Sequence, residues 1–315
     1  MPMPAVDPQF QLAIEAVRPT MPLLHAGMLE ELREVRRANL ERQQLSDRVE
    51  RRDYVVPGPP NAPEITVRLH VPVGLHTPAP CLYSMHGGGY VLGHRAIDDV
   101  RFDRWCPELG FIGASVEYRL APETPFPGPL EDCYAGLTWL FAHASELGID
   151  PTRIGVGGAS AGGGLAAALA LLARDRGQLD VAFQLLAYPM IDDTMGAESN
   201  RWNVPIWPAA NNAFGWRSYL GDLHGRDDVP YLAAPARATD VTGLPPTLVF
   251  VGTVDGLCDE SVAYASRLYR AGIATELHVY PGAPHAFDSI APDAPMSVRG
   301  TEAVKSWLRA AFTVA

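Results

Sequence analysis

Residues 155–165 read GVGGASAGGGL, a single serine, Ser160, set among glycines between a β-rich run, RIGVGG, and an alanine-rich helical run, LAAALALLARDR. Within it, Gly158, Ala159, Ser160, Ala161 and Gly162 match GxSxG. A strand that reverses sharply into a helix pushes such a serine into strained backbone, and glycines two residues to either side let the neighbouring chains pass. The hydroxyl then stands at the C-terminal edge of a sheet, beside a helix N-terminus that favours developing negative charge. The same letters also fit a turn that only lets a helix pack closely. A phosphate-binding loop is the weaker rival, because GxxxxGK[ST] is absent.

Outward from that turn, short β-rich runs alternate with helical ones. The strand candidates are ITVRLHV (65–71), APCLYSM (79–85), FIGASVEY (111–118), RIGVGG (153–158), VAFQLLAY (181–188), TLVFVG (247–252) and ELHVY (276–280). Between the third and fourth, Leu130, Cys133, Tyr134, Leu137, Leu140, Phe141 and Ala144 fall at helical spacing, with Gly148 placed as the C-terminal stop. This pattern predicts an α/β fold, a mainly parallel sheet with helices on both faces.

Two stretches depart from the alternation. Residues 9–48 predict two helical segments split by RPTMP, with an apolar stripe at Leu24, Met28, Leu32 and Val35; they read as an arm or lid that ends at the proline-rich connector VPGPPNAP (56–63). From 191 to 221, aromatics and prolines mix with no strand or helix period over most of the length, as in a functional cover or a helical excursion. The division expected is an arm over 1–50, a first core part over 51–190, an insertion over 191–221 and a second core part over 222–315.

The bulk numbers bound the function classes. The chain has 315 residues, 47% hydrophobic and 19% charged, the make-up of a globular protein with little room for extended disorder. A formal charge of -11 argues against a general nucleic-acid binder, which needs a basic face to displace counterions from phosphate. Cys81, Cys106, Cys133 and Cys258 are scattered without metal-ligand spacing, so no zinc or other metal site is expected and reduced, mostly buried thiols are. The N-terminal stretch lacks a basic n-region and an apolar h-region, and the longest apolar run, 161–173, falls short of the roughly 20 residues a bilayer-spanning helix needs. A cytoplasmic protein with no stable membrane anchor is the expectation.

The chemistry-bearing residues lie around the same sheet edge. SMHGGGYVLG (84–93) follows an apolar strand, and its consecutive glycines strip side chains from the backbone so that amides face a ligand oxygen, as an oxyanion hole requires; a flexible loop is the plainer alternative. Each such donor is worth roughly 3 to 4 kcal/mol of barrier. A serine nucleophile needs a base, and the base an orienting carboxylate. His285 in YPGAPHAFD follows a strand in a loop of Gly and Pro, while His70 and His278 sit in strand patterns and His143 on a helix. Asp255 ends an apolar strand; Asp259 and Glu260 begin the next helix, where carboxylates favour the positive helix end. The order Ser160, Asp255, His285 is the one expected on this kind of sheet. Trp202, Trp207, Phe214 and Trp216 of the insertion either shape an apolar substrate pocket or pin the insertion to the core, and Tyr90 of the glycine loop is a further pocket candidate.

HGGGY at 86–90, EYRLAPE at 117–123, GASAGGG at 158–164, DGLCDE at 255–260 and HAF at 285–287, in this order, resemble the bacterial hormone-sensitive-lipase-like esterases of the α/β-hydrolase superfamily. The resemblance runs from the connector to the C-terminal helix. It implies a cofactor-free carboxylic-ester hydrolase acting on short- to medium-chain acyl esters, with Ser160 as nucleophile, His285 as base and then acid, and Asp255 holding His285. It also implies oxyanion donors at the amides of Gly88, Gly89 and Ala161, His86 as a loop anchor, and a helical cap built from the arm and the 191–221 insertion. The partner it implies is a small-molecule ester, with a homodimer left open. The chain departs from the pattern at Ala159, where Asp or Thr is common, and at Gly256, where Pro is. Hydrolysis of amides, carbamates or lactones by the same triad is an alternative, and a non-catalytic ligand-binding protein on this fold a more distant one.

Overall fold

In the computed structural model, which describes residues 3–313, the β-rich runs become strands β1 (Val49–Val56), β2 (Ile65–Pro72), β3 (Ala79–Met85), β4 (Ile112–Glu117), β5 (Ile149–Ala159), β6 (Gln184–Ala187), β7 (Thr247–Val254) and β8 (Thr275–Pro284). They form one sheet in the order β1-β2-β4-β3-β5-β6-β7-β8. The β1–β2 and β2–β4 pairs are antiparallel, and every pairing from β4 across to β8 is parallel. All seven residues of β3 are buried, as a central strand covered on both faces must be.

The helices are α1 (Gln11–Val17), α2 (Leu29–Glu41), α3 (Asp99–Leu109), α4 (Gly128–Ala142), α5 (Ala161–Arg176), α6 (Ala209–Leu220), α7 (Cys258–Arg270), α8 (Phe287–Ile290) and α9 (Pro295–Ala311). Helices α4 and α5 pack together over one face of the sheet, and α3 and α9 over the other. Strand β3 therefore hands the chain to α3 on one face, while its neighbour β5 hands it to α5 on the opposite face. The chain order reverses between these two strands, and in open α/β sheets ligands bind outside the carboxyl ends of the strands at such a reversal. The GGG loop follows β3 and Ser160 follows β5 at that reversal.

Three local expectations need correction. Strand β1 was not expected: Glu50, Arg51, Arg52 and Asp53 hide it, and only Val49 and Val56 at its ends are buried, as on a charged sheet edge. Helix α4 stops at Ala142 rather than near Gly148; irregular turns follow, and Gly148, at φ 70°, leads the chain into β5. On α2 the inward stripe is Leu29, Leu32, Arg33 and Arg36, while Val35 is 51% exposed. Two arginines on the inward face mask the helical period.

The stretch 161–173 is buried throughout within α5, packed by its small side chains against the sheet. Among the described residues, no helix is long and apolar enough to cross a membrane. Cys81, Cys106, Cys133 and Cys258 are buried and unpaired.

Candidate active site

Ser160 occupies the turn between β5 and α5 with φ 58° and ψ -121°, a conformation strongly disfavoured for a residue with a Cβ. The chain is held there on both sides: the Ser160 amide donates to Ala187 O at 2.9 Å, and Ser160 O accepts from Met190 N at 2.9 Å and Gly164 N at 3.0 Å. Glycine is required at both flanks. A Cβ on Gly158 would fall on Gly162 O, and one on Gly162 on Met85 O, so β3, β5 and α5 meet backbone to backbone.

Asp255 immediately follows β7, and His285 follows β8. His285 Nδ1 lies 2.8 Å from Asp255 Oδ2, and His285 Nε2 lies 3.0 Å from Ser160 Oγ. The other carboxylate oxygen, Asp255 Oδ1, accepts from Leu257 N at 2.9 Å. All three side chains are at least nine-tenths buried. Asp259, the alternative carboxylate, instead accepts from Ser199 N at 2.9 Å and does not reach the imidazole. His70 pairs with Asp99 and His278 with Glu276, both away from Ser160.

After β3, the chain passes through Gly88 at φ 129° and Gly89 at φ 61°. Gly88 O accepts from Leu92 N at 2.9 Å and Val91 N at 3.2 Å, which closes the loop. The amides of Gly88, Gly89 and Ala161 have no acceptor among the described residues, so all three remain available to a bound oxygen. His86 stacks on Tyr118 with ring centroids 4.2 Å apart and bonds Gly87 O through Nδ1 at 3.0 Å. Burial lowers the pKa of its imidazole. The Tyr118 stack and the Gly87 bond together fix its ring within the loop.

The aromatic candidates separate. The Trp207 ring lies where a Cβ on Gly89 would stand, so this indole covers the glycine loop, with Nε1 donating to Asn212 Oδ1 at 3.2 Å. Trp202 and Phe214 are half-buried. Tyr90 and Trp216 are each at most 1% exposed, and they pack on each other and on Tyr219. Tyr90 also donates to Met190 O at 2.8 Å.

Several neighbours of the site gave no signal in the sequence. The Tyr188 ring meets His285 edge-on at 4.8 Å, and its hydroxyl donates to Asp288 Oδ1 at 3.0 Å. Burial pushes the Asp288 carboxyl up. Glu260, read as a helix-start carboxylate and as the last residue of DGLCDE, accepts from Ile191 N at 2.8 Å, Asp192 N at 3.2 Å and Asn200 Nδ2 at 3.0 Å. Burial pushes its pKa up to about 8. A clustered Ser-Asn pair in an aperiodic insertion carries no periodic or motif signature, so Ser199 and Asn200 were invisible as well.

The mostly parallel sheet, the reversal of its strand order and the serine turn beside that reversal define an α/β hydrolase. A family model described as an alpha/beta hydrolase fold matches residues 82–289. Esterase LipI of Mycobacterium tuberculosis is 33% identical over 304 residues, covering 95% of this chain and 92% of its own. Carboxylesterase NlhH of the same organism is 36% identical over 255 residues, 78% of this chain and 80% of its own. The solved structure of a bacterial heroin esterase superposes with a TM-score of 0.91 at 41% identity, covering 98% of this chain and 99% of that one. The chain belongs to the hormone-sensitive-lipase-like family of α/β hydrolases and is a carboxylesterase.

Proposed function

We propose that this carboxylesterase cleaves short- to medium-chain acyl esters by two-step acyl transfer through Ser160, His285 and Asp255. Ser160 Oγ attacks the ester carbonyl carbon as His285 Nε2 takes its proton, and the carbonyl oxygen becomes an oxyanion facing the amides of Gly88, Gly89 and Ala161. Asp255 steadies the imidazolium through Nδ1. Collapse breaks the bond to the alcohol oxygen, which leaves with the proton from Nε2 and an acyl group on Ser160. Water then attacks the acyl carbon, giving a proton to His285, and the second collapse returns that proton to Ser160 and releases the acid. The reaction draws on side chains and backbone amides alone.

The observation that carries this reading is His285 Nε2 at 3.0 Å from Ser160 Oγ with Nδ1 on Asp255. In support of the chain-length preference, Trp207 and the Gly215 backbone of α6 close against Gly89, narrowing the space beside the proposed oxyanion donors. Burial of four unpaired cysteines supports a reducing, cytoplasmic setting.

The test is p-nitrophenyl acetate turnover by purified Ser160→Ala, expected to fall by roughly 10^4-fold or more. Wild-type turnover by that variant ends the proposal. A p-nitrophenyl ester series from acetate to palmitate is expected to peak at short to medium chains; rates that climb toward emulsified long chains overturn the preference.

A further inference from the structure

Besides His285 on Oδ2, the Asp255 carboxylate is held by one peptide group. Its Oδ1 accepts from Leu257 N at 2.9 Å, and the carbonyl of that same peptide unit is Gly256 O. Because a trans peptide is planar, with its C=O and N–H pointing in opposite directions, whatever fixes the carbonyl also aims the amide. Gly256 is the position where the chain is freest to let that plane rotate. Its own amide has no acceptor among the described residues, and nothing lies closer than 3.7 Å to the place of a Cβ.

Two side chains of the 191–221 insertion supply the missing constraint. Ser199 Oγ donates to Gly256 O at 2.9 Å, and Asn200 Nδ2 donates to it at 2.8 Å. Both residues are at most 3% exposed and are themselves fixed. Ser199 exchanges bonds with Asp259 in both directions, at 2.9 and 3.1 Å, and Asn200 Oδ1 accepts from Ala197 N at 3.2 Å. Resting on the triad proposed above, we infer that Ser199 and Asn200 are positioning residues for Asp255, acting through the Gly256–Leu257 peptide to hold the carboxylate against His285.

The experiment compares Ser199→Ala, Asn200→Asp and the double variant with p-nitrophenyl acetate. Asn200→Asp keeps the volume while replacing the donor. Expected is a fall in kcat of about tenfold to 100-fold, with KM within about twofold of wild type. A general loss of structure would not reverse on stiffening one loop. Gly256→Pro, which loses no amide bond and restricts the same backbone, is therefore expected to restore about half or more of the lost kcat in the double variant. Circular dichroism establishes that each variant is folded, and if the double is not, either single is paired with Gly256→Pro. The inference is overturned by kcat within about twofold of wild type in folded variants, or by a loss that Gly256→Pro leaves untouched. Ser160→Ala run alongside separates the two failures: an active Ser160→Ala sinks the triad, whereas an inactive one beside fully active clamp variants sinks the clamp alone.

Discussion

Single atoms set the tolerance of the serine turn. At Gly158 and Gly162 the obstacle to a side chain is backbone oxygen, which cannot swing aside as the end of a flexible side chain would. Gly162→Ala is therefore expected to push α5 off β3, lowering stability by about 1–3 kcal/mol as an overpacked core does. It is also expected to cut turnover by roughly 100-fold by misplacing Ser160. A thermal melt and p-nitrophenyl acetate kinetics on one preparation check both; an alanine variant with wild-type values removes the backbone-contact argument. Ala159 is a different case. Its side chain is half-buried and packs against the core cluster on the α3–α9 face of the sheet, so the missing polar group changes the surroundings of the turn.

Among the elements, the N-terminal arm does more than cover. Arg33 on α2 donates through Nε to Val91 O at 2.9 Å and through Nη2 to Ala121 O at 2.8 Å, tying the arm to the end of the glycine loop and to the turn after β4. It also pairs with Glu123, but that carboxylate is 61% exposed, and ion pairs of this kind contribute little. The carbonyl bonds carry the energy. Arg33→Ala is expected to lower unfolding free energy by about 1–3 kcal/mol, and Glu123→Gln by less than about 1 kcal/mol, both read by urea denaturation. Equal losses would assign the contact to the ion pair instead. The arm meets α6 through Asn211, which accepts from Leu24 N at 2.9 Å and donates to Pro22 O at 3.0 Å. Further forward, Asp7 N donates to Gly282 O at 3.0 Å and Phe10 meets Phe287 edge-on at 5.9 Å, so the first residues brace the segment that carries His285.

For the molecule as a whole, a buried carboxylate at the junction of core and insertion couples stability to pH. Glu260 titrates near 4.5 when solvated, and burial raises it to about 8 in the fold. Between those values the folded chain keeps a proton that the unfolded chain has released, so stability is full below the lower value and falls as pH rises through the upper one. Urea midpoints for the wild type are expected to decline across that window, and Glu260→Gln to flatten the decline; an unchanged slope in the variant assigns it to other groups. Much of this protein was legible along the chain. Strand and helix periods, the GxSxG turn, the GGG loop and the strand-end positions of Asp255 and His285 are local patterns, and a parallel sheet collects strand ends at one edge whatever the details. What stayed hidden depends on contacts between distant segments. The charged edge strand β1, the inward-facing Arg33 and the Ser199–Asn200 grip on Gly256 O carry no period or motif. Sequence alone determined that Ser160, Asp255 and His285 would stand at strand ends in that chain order, because strand ends follow from local backbone preference. Only tertiary structure decided what holds them in register, since a hydrogen bond across tens of residues depends on where packing brings two segments together.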